Sequence, residues 1–230
     1  MSDNTMLSRT LPVILLFALT LPVRAQNVVV DEGTFRIFAH GRNVGTETFT
    51  IRRVGQGADT HVIANGVIEL DLPGGHQQVK PLLRSGSDLS LSAYQVQVSG
   101  SDATEVAVTL SGRRFLTRTR TPSGELEQEF RAIPGTVLLD NGVAHQYWFL
   151  SRLTEGTEVT ALIPRVGAQY RIKVREALVE SVQVAGAEVQ ARHVTFTIED
   201  RVHAVWYDAN GKVLKVVVAD TGFSAERTSQ

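Results

Sequence analysis

The chain has 230 residues, a formal net charge of −1 and no cysteine. That length can bury a sizeable core without disulfides, and the near-neutral charge argues against a nucleic-acid partner. Without cysteine there is no thiol nucleophile, no thiolate metal site and no lipid attached through sulfur.

Residues 1–25 read as a secretory signal peptide. Arg9 gives a positive flank, Leu11 to Val23 form an apolar run, and Val23-Arg24-Ala25 sets small residues at the −3 and −1 positions before Gln26. At about 1.5 Å per residue the run spans roughly 20 Å, short of a hydrocarbon core of about 30 Å, so cleavage rather than anchoring is expected. The expected mature protein, 26–230, is a single β-rich domain with 21 basic and 23 acidic side chains. It is expected to be periplasmic or secreted and to lack a membrane span of its own.

Alternation of apolar and polar residues then dominates. Thr34 to Ala39 and Val44 to Val54 flank His40-Gly41-Arg42-Asn43, a hairpin signal. In the second strand Glu47, Phe49, Ile51 and Arg53 share a face. Further strands are expected over 60–70, 77–84, 88–98 and 104–111. Arg114, Arg118 and Arg120 alternate along the next strand, and Glu125, Glu127 and Glu129 along the one after it. With Pro122-Ser123 as a two-residue turn, Arg120 faces Glu125, Arg118 faces Glu127 and Phe115 meets Phe130. A type I turn there leaves the register free to slip by one. The charges read as a solvated ladder rather than an anion site.

A helix is expected over Gly142 to Leu153, capped by Asp140 or Asn141, with Val143, Tyr147 and Leu150 at helical spacing. Strands resume at 157–164, 168–176, 178–185 and 188–199. Ala204 to Asp208 and Lys212 to Ala219 flank Ala209-Asn210-Gly211, the clearest hairpin. The expectation is an all-β (β-rich α+β) chain, a large curled antiparallel sheet or open half-barrel of about a dozen strands with one central helix.

Four features occur in order: Gly41-x-x-Val44-Gly45-x-x-x-Phe49; Tyr147-Trp148-Phe149-Leu150-Ser151-Arg152; Tyr170-x-Ile172-x-Val174; and Val205-Trp206-Tyr207-Asp208-x-x-Gly211-x-Val213-Leu214. Their layout resembles a group of uncharacterised exported bacterial proteins built as curled antiparallel sheets. These are similar in shape to the half-barrels of lipoprotein carriers such as LolA. The resemblance implies a fold and a compartment, and carries no catalytic residue with it.

Reaction motifs are absent: no P-loop, G-x-S-x-G elbow, H-E-x-x-H or dinucleotide fingerprint. The six histidines are scattered, so neither a metal site nor a cofactor is expected. Two constellations stand out. His145, Trp148 and Arg152 form a stripe beside the helix core face; with Tyr147 and Trp206 they are the expected ligand-binding residues, the alternative being an ordinary boundary face. His193, Asp200, His203 and Asp208 cluster near the end, where a His–Asp pair can orient a base, but Asp208 is most simply a turn initiator. The leading expectation is a non-enzymatic periplasmic module for an apolar or amphipathic ligand such as a lipid. An envelope interaction protein with a filled core is the alternative, and a hydrolase of unknown substrate stands third.

Overall fold

A computed structural model describes residues 27–228; the expected signal segment lies outside the described residues. The strands are β1 (Asn27–Ala39), β2 (Arg42–Val54), β3 (His61–Leu72), β4 (Gly75–Gly86) and β5 (Leu91–Ser99). They continue as β6 (Thr104–Ser111), β7 (Arg114–Thr121), β8 (Gly124–Arg131), β9 (Val137–Leu138) and β10 (Glu158–Ile163). The last are β11 (Ala168–Val184), β12 (Ala187–Ile198), β13 (Arg201–Tyr207), β14 (Val213–Val218) and β15 (Phe223–Arg227). All belong to one sheet, ordered β8-β7-β6-β5-β4-β3-β2-β1-β15-β14-β13-β12-β11-β10-β9. Fifteen strands exceed the dozen expected, because β9 and β15 are too short and carry too little alternation to be read alone.

The order shows why the sheet curls. β8 and β9 are its two edges, yet only residues 132–136 separate them in the chain. A link that short spans at most about 20 Å, so the sheet must turn until its edges approach. The link ties them: Leu91 N–H of β5 donates to Thr136 O at 2.7 Å, and Gln169 Nε2 of β11 donates to Arg131 O at 2.9 Å. β8 and β9 do not pair, so the barrel stays open along a seam. All pairings are antiparallel except β9 with β10.

Local chemistry sets the registers. His40 and Gly41 both take positive φ at the β1–β2 turn, the primed-turn conformation that suits strand twist. Beyond it the register shifts between Ile37 and Phe38, and a Cβ on Gly45 would lie 1.8 Å from Glu69 O. That close approach requires glycine. In the charged hairpin Arg118 faces Glu127, Arg120 faces Glu125 and Phe115 faces Phe130. The ladder therefore closes in the expected register. Asp208 Oδ1 accepts from Asn210 N and Lys212 N, both at 2.8 Å, and so initiates the β13–β14 turn. The segments 168–176 and 178–185 are one strand, β11, interrupted by a bulge between Val174 and Glu176.

Inward positions such as Phe35, Ile51, Tyr94, Phe196 and Val205 are fully buried and build one core. The expected helix over Gly142–Leu153 is shorter and tighter: a 3-10 helix over Ala144–Leu150, with every residue buried inside the barrel. A 3-10 helix is thinner and longer per residue than an α-helix, which suits a segment threaded through a narrow interior. Neither Asp140 nor Asn141 caps it. Its cap comes from β2, where the fully buried Glu47 accepts from Ala144 N at 2.8 Å and His145 N at 2.9 Å.

Candidate functional site

This plug fills one mouth of the barrel and leaves space at the other. At the end holding the β1–β2, β3–β4 and β12–β13 turns there is a cavity of about 380 Å³. Ile68, Val79, Ile163, Ile198 and Phe223 are among its apolar walls, and Tyr147, Asp140, Arg165, Arg201 and His203 are among its polar lining residues. Alternation explains the lining. His203 faces Phe196 across β12–β13, on the inner face with Val205 and Tyr207, so Arg201, two residues earlier, shares that face.

The polar groups form two clusters. Asp140, 4% exposed, accepts from Tyr94 OH at 2.6 Å and from Arg165 Nε at 2.8 Å, while its own N–H donates to Gln146 Oε1 at 2.6 Å. Arg165 also reaches Asn141 O, so the β10–β11 loop is held to the entry of the plug. In the second cluster Tyr147 OH lies 2.6 Å from His203 Nδ1. Burial pushes the Tyr147 phenol well up. Burial, and then the Arg201 charge, lower His203 to about 4. Both shifts keep a protonated phenol donating to a neutral imidazole. Tyr207 OH completes the frame by donating to Tyr147 O at 2.9 Å.

The structure separates the five residues expected to bind a ligand. Only Tyr147 lines the cavity. His145, fully buried, points its Nδ1 at Glu47 Oε1 at 2.5 Å and stacks on Phe49 with ring centroids 5.4 Å apart. Gly66 of β3 makes room for it: a Cβ there would sit 3.2 Å from the His145 ring. Trp148 and Arg152 line a small recess at the opposite mouth, beside Arg192 and the 208–211 turn. Trp206 is on the outer face, donating to Glu180 Oε1 at 2.6 Å beneath the stacked His193 ring. The stripe of His145, Trp148 and Arg152 therefore lines no common cavity. His145 and Trp148 follow the 3-10 turn, Arg152 lies past its end, and only Trp148 and Arg152 share a recess.

The C-terminal constellation is also dispersed. His193 is outward and pairs with Glu180 at 3.1 Å, whereas His203 is inward on Tyr147. Strand parity puts them on opposite faces of adjacent strands. Among the described residues no three histidine or carboxylate side chains gather as metal ligands, and no helix is long and apolar enough to cross a membrane. Asp140, Arg165 and Arg201 were not legible as site residues. Each looks like an ordinary turn or strand-end charge in sequence.

A larger hollow of about 620 Å³ runs along the outer face beside Arg118 and Glu127. Those charges already pair with each other at 2.8 Å in solvent, so it offers an incoming group little that water does not.

No protein-family model matches the chain, and no curated protein matches it. Among solved structures it is similar to a β-barrel-like protein of a domain of unknown function, DUF1849, from Brucella abortus. The TM-score is 0.50 and the sequence identity 9%, covering 85% of this chain and 93% of that one. At that identity the likeness is one of fold, a barrel-like, curled antiparallel sheet.

Proposed function

We propose that this chain is a non-enzymatic periplasmic module that binds an apolar or amphipathic ligand, such as a lipid, in the cavity at the open mouth. The observation that carries the reading is the cavity itself, about 380 Å³ bounded by apolar inner-face side chains in an otherwise filled barrel. That volume falls in the range of ligand pockets, about 300–1,000 Å³. Each methylene moved from water into such a site is worth about 0.8 kcal/mol. The polar atoms at its inner end already satisfy one another, through Tyr147–His203 and Asp140–Arg165, so an apolar chain can enter without stranding them. A filled core, as the interaction-protein alternative requires, fits this mouth less well. A hydrolase is less supported still, because His145, His193 and His203 each have a separate partner in a separate place.

The compartment belongs to the same proposal and rests on the signal-like residues 1–25 and on the resemblance to exported half-barrel proteins. Native mass spectrometry of protein recovered from the periplasm of its producing cell tests both. The expected spectrum shows a chain beginning at Gln26 with an amphiphile adduct. A chain that retains its first 25 residues in the cytoplasm sinks the compartment. A bare chain that also fails to take up the hydrophobic dye N-phenyl-1-naphthylamine sinks the binding reading.

A further inference from the structure

The charges that line the cavity do not cancel, although Glu199, Asp200 and Asp220 lie in the turns around its mouth. Three formally charged side chains line the cavity: Asp140, Arg165 and Arg201, with His203 held neutral beside them. Asp140 and Arg165 cancel, their atoms 2.8 Å apart. Among the described residues the Arg201 side chain makes no hydrogen bond or ion pair; its charge acts on His203. Asp220 acts on the same histidine from the short turn at 219–221 but does not pair with Arg201. Arg201 thus stands exposed at the rim of the apolar walls, at the start of β13 across from Ile198.

We propose that Arg201 is the head-group site of the cavity, and that the ligand is a single-chain amphiphile with an anionic head, a carboxylate or a phosphate monoester. This rests on the binding reading given above and narrows it. The guanidinium fork presents paired N–H donors matched to either head group. The apolar walls behind it take the chain, and a volume near the lower end of the pocket range favours one chain over several. An ammonium head at the same rim would meet the Arg201 charge and be repelled.

The test is calorimetric titration of the purified protein at mildly alkaline pH, below micelle-forming concentrations. The probes are dodecanoate, dodecyl phosphate, dodecanol and dodecyltrimethylammonium. An anionic probe is expected to bind at least about tenfold more tightly than the ammonium, the scale of one charge-assisted hydrogen bond. Comparing the two anions tells carboxylate from phosphate. Arg201→Gln should reduce the preference for anion over alcohol by about tenfold. Arg36→Gln, which removes an outer-face charge paired with Glu226, should change it by less than about twofold. Equal affinity for all four probes overturns the head-group site and leaves the cavity reading standing, as does an Arg201→Gln protein with unchanged preference. Failure to bind any probe overturns both.

Discussion

Arg227 is a buried charge with a full set of partners. It is 2% exposed and spends its donors on Asp31 Oδ2 at 2.7 Å, Val213 O at 2.8 Å and Glu32 O at 3.2 Å, with its plane near the Phe35 and Phe49 rings. Burial pushes the Asp31 carboxyl above its ordinary value, and Arg227 pulls it back only part of the way. Desolvation therefore outweighs attraction at this pair, as continuum arguments expect for buried ions. Arg227→Ala should lower stability to urea by about 3–5 kcal/mol, because it leaves the buried Asp31 carboxylate with only the Lys212 ammonium, 3.9 Å away, and no side chain hydrogen-bonded to it. Combining Asp31→Leu with Arg227→Met should recover most of that loss. A double variant as unstable as the single one would show that the carbonyl contacts, rather than the ion pair, hold β15 in place.

At the scale of elements, the plug depends on a strand 97 residues away in the chain. Glu47 takes up two N–H groups at the start of the 3-10 helix and the Nδ1 of His145. No residue of the plug itself caps that end. Glu47→Ala would leave three buried donors unpaired, at about 1–3 kcal/mol each before relaxation. The expected result is a loss of several kcal/mol with a red shift of Trp148 emission, read in a Trp206→Phe background. Trp148 is 5% exposed in the intact protein, so its emission reports release of the plug. Glu47→Gln, which keeps an acceptor, should lose less. An unchanged Trp148 spectrum in Glu47→Ala would mean that packing alone seats the plug. The outer ladder of β7 and β8 is the contrast: its charges are half exposed, and solvent-screened pairs of that kind contribute little.

For the whole molecule, acid is the informative variable. His203 titrates near 4 in the folded protein against an ordinary 6.5. The unfolded chain therefore binds the proton first as pH falls, and folding loses stability between those two values. The contribution is fully present above about pH 6.5 and is lost as pH drops through 4; a depression of that size corresponds to about 3 kcal/mol. Urea midpoints measured across this range should fall more steeply for the parent than for His203→Gln, which keeps an acceptor for the Tyr147 hydroxyl. Parallel curves would mean that His203 is hydrated in solution and the mouth wetter than its walls suggest. The closure of the sheet belongs to this scale too. A five-residue link joins the two edges of a fifteen-stranded sheet, and single hydrogen bonds to the link and β8, one backbone and one side-chain, rather than strand pairing, hold the seam.

What could be read along the chain was local and periodic. Strand alternation, the His40-Gly41 and Asp208–Gly211 turns, and the pairing of Arg118 with Glu127 all depend on neighbours within one hairpin. A period of two assigns each side chain to a face, and turn chemistry sets the register. The same alternation set Glu47 beside Phe49 and Ile51 on one face, a lone carboxylate among apolar residues, but could not name its partner. Only the tertiary structure decided that this face meets the plug, that the plug is a short 3-10 helix, and that Trp148 and Trp206 lie away from the cavity. It also decided that Asp140, Arg165, Arg201 and His203 share one mouth. The physical reason is range. Those groups come from three separate stretches of chain, and what brings them together is the curl of the whole sheet, imposed by the short crossing between its edges and by the core that fills it.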